Sequence, residues 1–210
     1  MVTSGTPRRV RADAVRNAER LVTAARETFA AHGVEASLED VARHAGVGIA
    51  TLYRHFPKKE DLIQAVLHQA FTQEIGPEIE RAMREPDARR AIGIVVEAAL
   101  RSISRERNTL AAASHSGALT AEIIARFVDP IATLVARGQQ AGAIRADLVP
   151  EDLLRIVLML SGVLWTLPPG SEGWRRYVAL TLDALNPVGA SPLPPAEPLP
   201  GDLPPQRWSL

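Results

Sequence analysis

Residues 37–62 read SLEDVARHAGVGIATLYRHFPKKEDL, and the spacing of apolar side chains and glycines in this stretch decides the fold. Ser37 opens a helix with Asp40 three residues on, a capping-box start with Asp in the usual Glu or Gln place. Leu38, Val41, Ala42 and Ala45 then fall on its inner face. Gly46 follows at once and suits a positive φ, so a tight turn comes next rather than a long loop. A second short segment, Ile49 to Phe56, places Leu52 and Phe56 on one side, and Pro57 ends it. Two short helices joined by a tight glycine-containing turn make a helix-turn-helix, whose second helix enters the major groove of DNA. Val41, Ala42, Val47 and Leu52 are expected to bury the junction. Ile49, Ala50, Thr51, Tyr53, Arg54 and His55 then face outward. Arg54 can pair with guanine edges or with phosphate, Thr51 and Tyr53 can donate to phosphate oxygens, and Ile49 and Ala50 can meet thymine methyls.

On the amino-terminal side, Val15, Ala18, Val22, Ala25 and Phe29 share one face of a helix expected from an Asp13 N-cap to His32. Gly33 supplies its left-handed end. Residues 1–12, with Arg8, Arg9 and Arg11, read as a flexible basic arm. Up to Lys59 the cations outnumber the anions by four, although the whole chain has a formal net charge of zero. A basic head on an acidic remainder points to a polyanion as the head's partner.

On the carboxyl-terminal side, helical periodicity continues with no period-two alternation, so the expected fold is all-α with about nine helices. The body helices are expected at 59–84, 87–105, 107–116, 119–141, 151–167 and 172–186, with kinks at Gly76-Pro77 and Pro130. The run Leu153 to Leu164 is apolar almost all round, as in a helix covered on more than one side. Trp174, Tyr177, Val178, Thr181 and Leu185 fall on one face of the last helix. Residues 187–210 carry eight prolines, which exclude helix and sheet and imply an extended, mobile tail. The organisation expected is an arm at 1–12, a helix-turn-helix domain at 13–60, a ligand-binding and dimerisation domain at 61–186, and the tail.

Several function classes drop out. The chain has no cysteine, which removes disulfides, thiolate metal sites and cysteine nucleophiles. It shows no paired acids, Ser-His-Asp order, phosphate loop or metal-spaced cluster, so neither an enzyme nor a metal or cofactor is expected. Its most apolar run, Ile156 to Leu167, stops at Pro168 and Pro169, short of the ~20 residues a membrane helix needs. No signal-like apolar stretch follows the first arginines, and a cytoplasmic location is expected. A purely structural helical dimer would leave the ordered stretch from Ser37 to Leu62 unexplained.

The ordered string Ala45-Gly46-Val47, Thr51-Leu52-Tyr53, His55-Phe56-Pro57 and Lys59-Glu60-Asp61-Leu62 resembles the DNA-binding head of TetR-family regulators, over roughly residues 14–65. The resemblance implies that Gly48, Ile49, Ala50 and Thr51 lie where bases are approached. It puts Tyr53, His55 and Lys59 where phosphates are gripped, and Ser37 where the second helix meets the DNA backbone. With Arg54, the expected base-facing set is Gly48, Ile49, Ala50, Thr51 and Arg54. The resemblance further implies a homodimer formed by the last two helices, a palindromic operator in double-stranded DNA, and repression relieved by a small-molecule ligand. A ligand-independent regulator or an activator is the alternative, built from the same head. The body helices would surround the ligand, with Phe71, Ile92, Val96, Ser114, His115, Phe127, Met159 and Trp165 as candidate lining, together with Ile75 and Ile131. Few charges fall at inner positions, which favours an apolar or weakly polar ligand. The sequence departs from the family pattern at three places. Gly48 stands where a hydroxyl cap is common, Ile49 where a polar or basic residue is frequent, and Lys58 where a capping residue is usual.

Overall fold

Helix follows helix from Pro7 onward in the computed structural model, which describes residues 7–116, 121–168 and 170–197. Within these spans the side chains at 7–15, 114–116 and 121–127 are not described. The helices are α1 (Pro7–His32), α2 (Leu38–Ala45), α3 (Ile49–His55), α4 (Lys59–Ala70), α5 (Gly76–Arg84), α6 (Ala88–Arg105), α7 (Arg107–Ser116), α8 (Ala121–Gln140), α9 (Pro150–Leu164) and α10 (Arg175–Ala184). A 3-10 turn, Gly33–Glu35, follows α1, and a π-helical turn, Phe71–Ile75, joins α4 to α5 without a break. No strand occurs among the described residues, and the α-helices there number ten, or nine when the uninterrupted helical run from α4 through the π turn to α5 is counted once.

Two boundaries differ from the sequence expectation. Helix α1 starts at Pro7 rather than at an Asp13 cap, so Arg8, Arg9 and Arg11 lie in a helix and not in an arm. Proline fits the first turn of a helix because its missing N–H would be unsatisfied there anyway, and no glycine interrupts the run behind it. Residues 1–6 lie outside the described set. The deformation expected at Gly76-Pro77 is realised as the π turn just before it, where the Gly76 N–H reaches back to the Phe71 carbonyl. Pro77 has no N–H to continue the ladder, and a wider turn adjusts to that gap.

The chain divides into two compact units. The first holds α1 to α4 as far as Gln69, together with α7. It buries Leu21, Val22, Ala25 and Phe29 of α1, the inner face of α2, Leu52 of α3, and Leu62, Ile63 and Val66 of α4. Helix α7 packs on α1 and on the 3-10 turn. The second unit holds α5, α6 and α8 to α10, with α6 touching each of the others. Its core gathers Ile92, Val96 and Leu100 of α6, Ile131 and Leu134 of α8, Leu153, Leu160 and Leu164 of α9, and Trp174 and Val178 of α10. Where α8 meets the following loop, Gly138 leaves no room for a side chain: a Cβ there would stand 2.5 Å from Ile144 Cγ1 and 3.2 Å from Ala88 Cβ.

The carboxyl-terminal helices and the tail bring two corrections. The buried stripe of α10 is Trp174, Val178 and Leu185, while Tyr177 turns outward. The tail is extended, as its prolines require, but through Glu197 it is fastened rather than loose. Arg145 donates to the Ser191 carbonyl, Asp147 accepts from the Leu193 N–H at 2.9 Å, and Arg155 donates to the Glu197 carbonyl at 2.7 Å. Polar side chains on the α8–α9 loop and on α9 supply partners that composition cannot reveal. The hydrogen bonds from Arg145 and from the Leu193 N–H hold the Asp147 carboxyl well below the usual carboxylate range.

Candidate nucleic-acid interface

The head is assembled by local hydrogen bonds that the sequence announces. The Ser37 hydroxyl accepts the Asp40 N–H at 3.1 Å, and the Asp40 carboxylate accepts the Ser37 N–H at 3.3 Å, closing the capping box at the start of α2. The same hydroxyl donates to Asp40 at 2.6 Å, which lowers the Asp40 pKa. Both polar groups of Ser37 on this side are therefore engaged within the cap. At the other end of α2, Gly46 adopts φ 66° and ψ 35°, the left-handed conformation that other residues reach at a cost. Its N–H and that of Val47 return to the carbonyls of Arg43 and Ala42. Arg20 of α1 adds a guanidinium donor to the Ala45 carbonyl at 2.8 Å. A helix C-terminus gains from such a cation, because its last carbonyls lack intrahelical partners and carry partial negative charge.

With the turn fixed, α3 buries Leu52 and presents Ile49, Ala50, Tyr53 and Arg54 to solvent. These four lie at i, i+1, i+4 and i+5, one stripe of a helix. Tyr53 is 46% exposed, a high value for an aromatic ring. Thr51 is half-buried beside the stripe rather than fully outward, and His55 and Phe56 are half-buried at its end, with ring centroids 6.4 Å apart. Gly48 is the N-cap of α3 and offers no side-chain cap. The structure thus brings Gly48, Ile49, Ala50, Thr51, Tyr53, Arg54 and His55 together on and around one short helix.

Lys59 stands apart from that stripe. Its ammonium donates to the Val34 carbonyl at 2.9 Å and lies 5.9 Å from the centre of the Phe29 ring. It ties the start of α4 to the end of α1 and keeps two further N–H groups. Lys58 supplies its backbone N–H to Asp61 at 3.0 Å, so this helix start is closed from the third position and not by a side chain at Lys58.

Two contributors went unread in the sequence. Arg20 sits among other exposed positions of α1, and only the tertiary fold shows that it reaches Ala45, 25 residues away. Asn108 of α7 donates to the Ala30 carbonyl, 78 residues away, and its Cβ lies 3.8 Å from the place a Cβ would take on Gly33. No local signal marks either residue.

The candidate ligand-lining residues of the body are not all brought together. Ile92 and Val96 are buried in the core of the second unit, Phe71 packs against it half-buried, and Trp165 is half-buried after α9. Ile75 and Ile131 are buried in the same core. Met159 is 66% exposed and is no lining residue: the inner face of α9 runs through Leu153, Leu160 and Leu164, which leaves position 159 outside. The side chains of Ser114, His115 and Phe127 lie outside the described residues. Among the described residues no group of three or more His, Asp or Glu is placed to hold a metal ion, and no helix is long and apolar enough to cross a membrane.

Known proteins are similar to this chain in sequence over the head and in fold over most of its length. Residues 21–66 match the family described as bacterial regulatory proteins, tetR family. An uncharacterised HTH-type transcriptional regulator, TtgW of Pseudomonas putida, is 43% identical over 61 residues, which cover 29% of this chain and 46% of that protein. A TetR transcription regulatory protein from Mycobacterium vanbaalenii superposes with a TM-score of 0.56 at 28% identity, over 84% of this chain and 99% of the other. AibR, solved in complex with isovaleryl coenzyme A and operator DNA, superposes with a TM-score of 0.60 at 19% identity, over 81% and 98% of the two chains. The chain spans less than half the length of the curated relatives it matches.

Proposed function

We propose that this chain, whose residues 21–66 match the family described as bacterial regulatory proteins, tetR family, is a sequence-specific transcriptional regulator that binds palindromic double-stranded DNA as a homodimer. It acts as a repressor released by a small-molecule ligand, works in the cytoplasm and is not an enzyme.

The observation that carries the reading is the outward stripe of α3, Ile49, Ala50, Tyr53 and Arg54, held on a turn locked by Gly46. A rigid short helix with an exposed arginine, an aromatic hydroxyl and small apolar groups has the chemistry of major-groove recognition. Gly48, Ile49, Ala50, Thr51 and Arg54 face bases on this reading. Tyr53, His55 and Lys59 face phosphates, with Lys59 using the N–H groups not given to Val34. Ser37 positions α2 through its cap and is not assigned a phosphate.

Dimerisation is supported by the exposed apolar side chains of the last two helices, Met159 on α9 and Tyr177 and Leu180 on α10. The ligand would be apolar or weakly polar and would lodge among the body helices near Phe71, Ile92, Val96 and Trp165. Its binding need only differ in strength between two states of the dimer to change how far apart the two recognition helices stand. That AibR was solved with both an acyl-CoA and operator DNA is support by analogy.

Fluorescence anisotropy with labelled, sheared genomic DNA across a salt series tests the DNA-binding step. Binding should weaken steeply as salt rises, because phosphate contacts release counterions. A chain that retains no DNA at low salt would overturn the proposal.

A further inference from the structure

The platform under the proline-rich tail is built with care. Gln139 of α8 directs one side-chain amide at the carbonyls of Arg145, Ala146 and Leu148, at 3.1, 3.2 and 2.8 Å, and so shapes the loop before α9. The Arg145 N–H also bonds the Leu185 carbonyl at 3.0 Å, which ties the end of α10 to that loop. The Arg145 side chain is only 12% exposed, and its guanidinium meets both oxygens of Asp147, at 2.6 and 3.0 Å. The pair then offers one donor and one acceptor to the tail, taken by the Ser191 carbonyl and the Leu193 N–H. Residues 191 and 193 present these groups on the same side of an extended chain. Prolines 192, 194 and 195 fix that extended form in advance and lower the entropy lost on docking.

The strap does not hide its own apolar groups. Leu193 remains 43% exposed although its backbone is held. The far end of the strap is held by Arg155, which stands one helical turn before Met159 on α9. The strap therefore crosses the amino-terminal end of the exposed face of α9.

We infer that residues 191–197 form a docked strap completing the surface on which a second copy of this chain seats, with Leu193, Pro194 and Pro195 extending the patch of Met159, Tyr177 and Leu180. This rests on the dimer reading above. The partner it fits is a second copy, because the strap continues the very helical faces assigned to the dimer.

Sedimentation equilibrium of the full chain, of a chain ending at Asn186, of a chain ending at Glu197 and of Leu193→Asp tests this. The chain ending at Glu197 should dimerise like the full chain. Removal of the whole tail and Leu193→Asp should each raise the dimer dissociation constant at least tenfold. Leu193→Asp changes one exposed side chain and leaves the core untouched, so it decides the matter if the shorter chain folds poorly. An unchanged dissociation constant in Leu193→Asp overturns the strap while leaving the dimer standing. A full chain that stays monomeric at micromolar concentration overturns both.

Discussion

At the scale of single residues, the proposed function separates groups of the head that would read DNA from groups that hold α3 in place. Arg54 is exposed on the α3 stripe, while Lys59 is partly committed to Val34. Arg54→Ala should change the ranking among operator variants, by ~1–3 kcal/mol where it holds a guanine through two hydrogen bonds. Lys59→Ala should weaken binding to all DNA alike and reduce the salt slope by about one. Titrating both variants on one operator panel at several salt concentrations checks the pair of outcomes, and an unchanged ranking with Arg54→Ala would reassign it to phosphate or solvent. Among the positioning residues, Ser37→Ala should cost about 1 kcal/mol by removing the α2 cap. Asp40 adds a pH dependence. Its carboxyl has a lowered pKa in the fold because Ser37 bonds the ionised form. A group depressed on folding stabilises fully above its unfolded value, near 4, and loses that contribution as pH falls through the folded value. Denaturant midpoints measured between pH 6 and 3 should therefore fall less steeply in Asp40→Asn than in the parent chain.

At the scale of elements, the legibility of the sequence depended on whether the deciding interaction was local. The α2 cap, the left-handed Gly46 and the Leu38, Val41, Ala42, Ala45 face all depend on neighbours within a few positions, and all stand as read. The start of α1 was misplaced because Asp13 looks like a cap, yet nothing before it breaks a helix and Pro7 can open one. Tyr177 falls on one face of α10 with Trp174, Val178 and Leu185 by periodicity, yet it is exposed where they are buried, because periodicity gives a stripe but not how much of its width is covered. Fastening of the tail depends on Arg145, Asp147 and Arg155, which sit 42 to 46 residues from their partners. Gly138 makes the same point in energy. Glycine to alanine inside a helix ordinarily stabilises by up to about 1 kcal/mol. Here the new Cβ would press on Ile144, itself 2% exposed, and on Ala88. Gly138→Ala should instead destabilise the chain by about 1–3 kcal/mol, read from urea denaturation, and a gain in stability would show that the loop bearing Ile144 gives way. The α5 end offers a parallel test. Arg137 of α8 donates to the carbonyls of Ala82, Met83 and Glu85, so Arg137→Ala should cost about 1–3 kcal/mol by uncapping that helix.

At the scale of the whole molecule, the amino-terminal third carries the recognisable chemistry and the rest carries helices. Periodicity was enough for the all-α class and for the order of the body helices. The ligand-lining set was less legible, since Met159 proved outward. An apolar position on a helix reads the same in sequence whether it meets a core, a ligand or a second subunit, and only the fold tells these apart. The central claim is that two copies of the chain read DNA through the α3 stripe. The most direct test is selection of bound duplexes from a random pool by the parent chain and by Arg54→Ala, with the enriched sequences compared. An inverted repeat should emerge, its half-sites centred one helical turn, about 34 Å, or a multiple of that apart, and Arg54→Ala should alter preferred bases symmetrically in both halves. Enrichment of no sequence, or of a single unrepeated site that Arg54→Ala leaves unchanged, would contradict it.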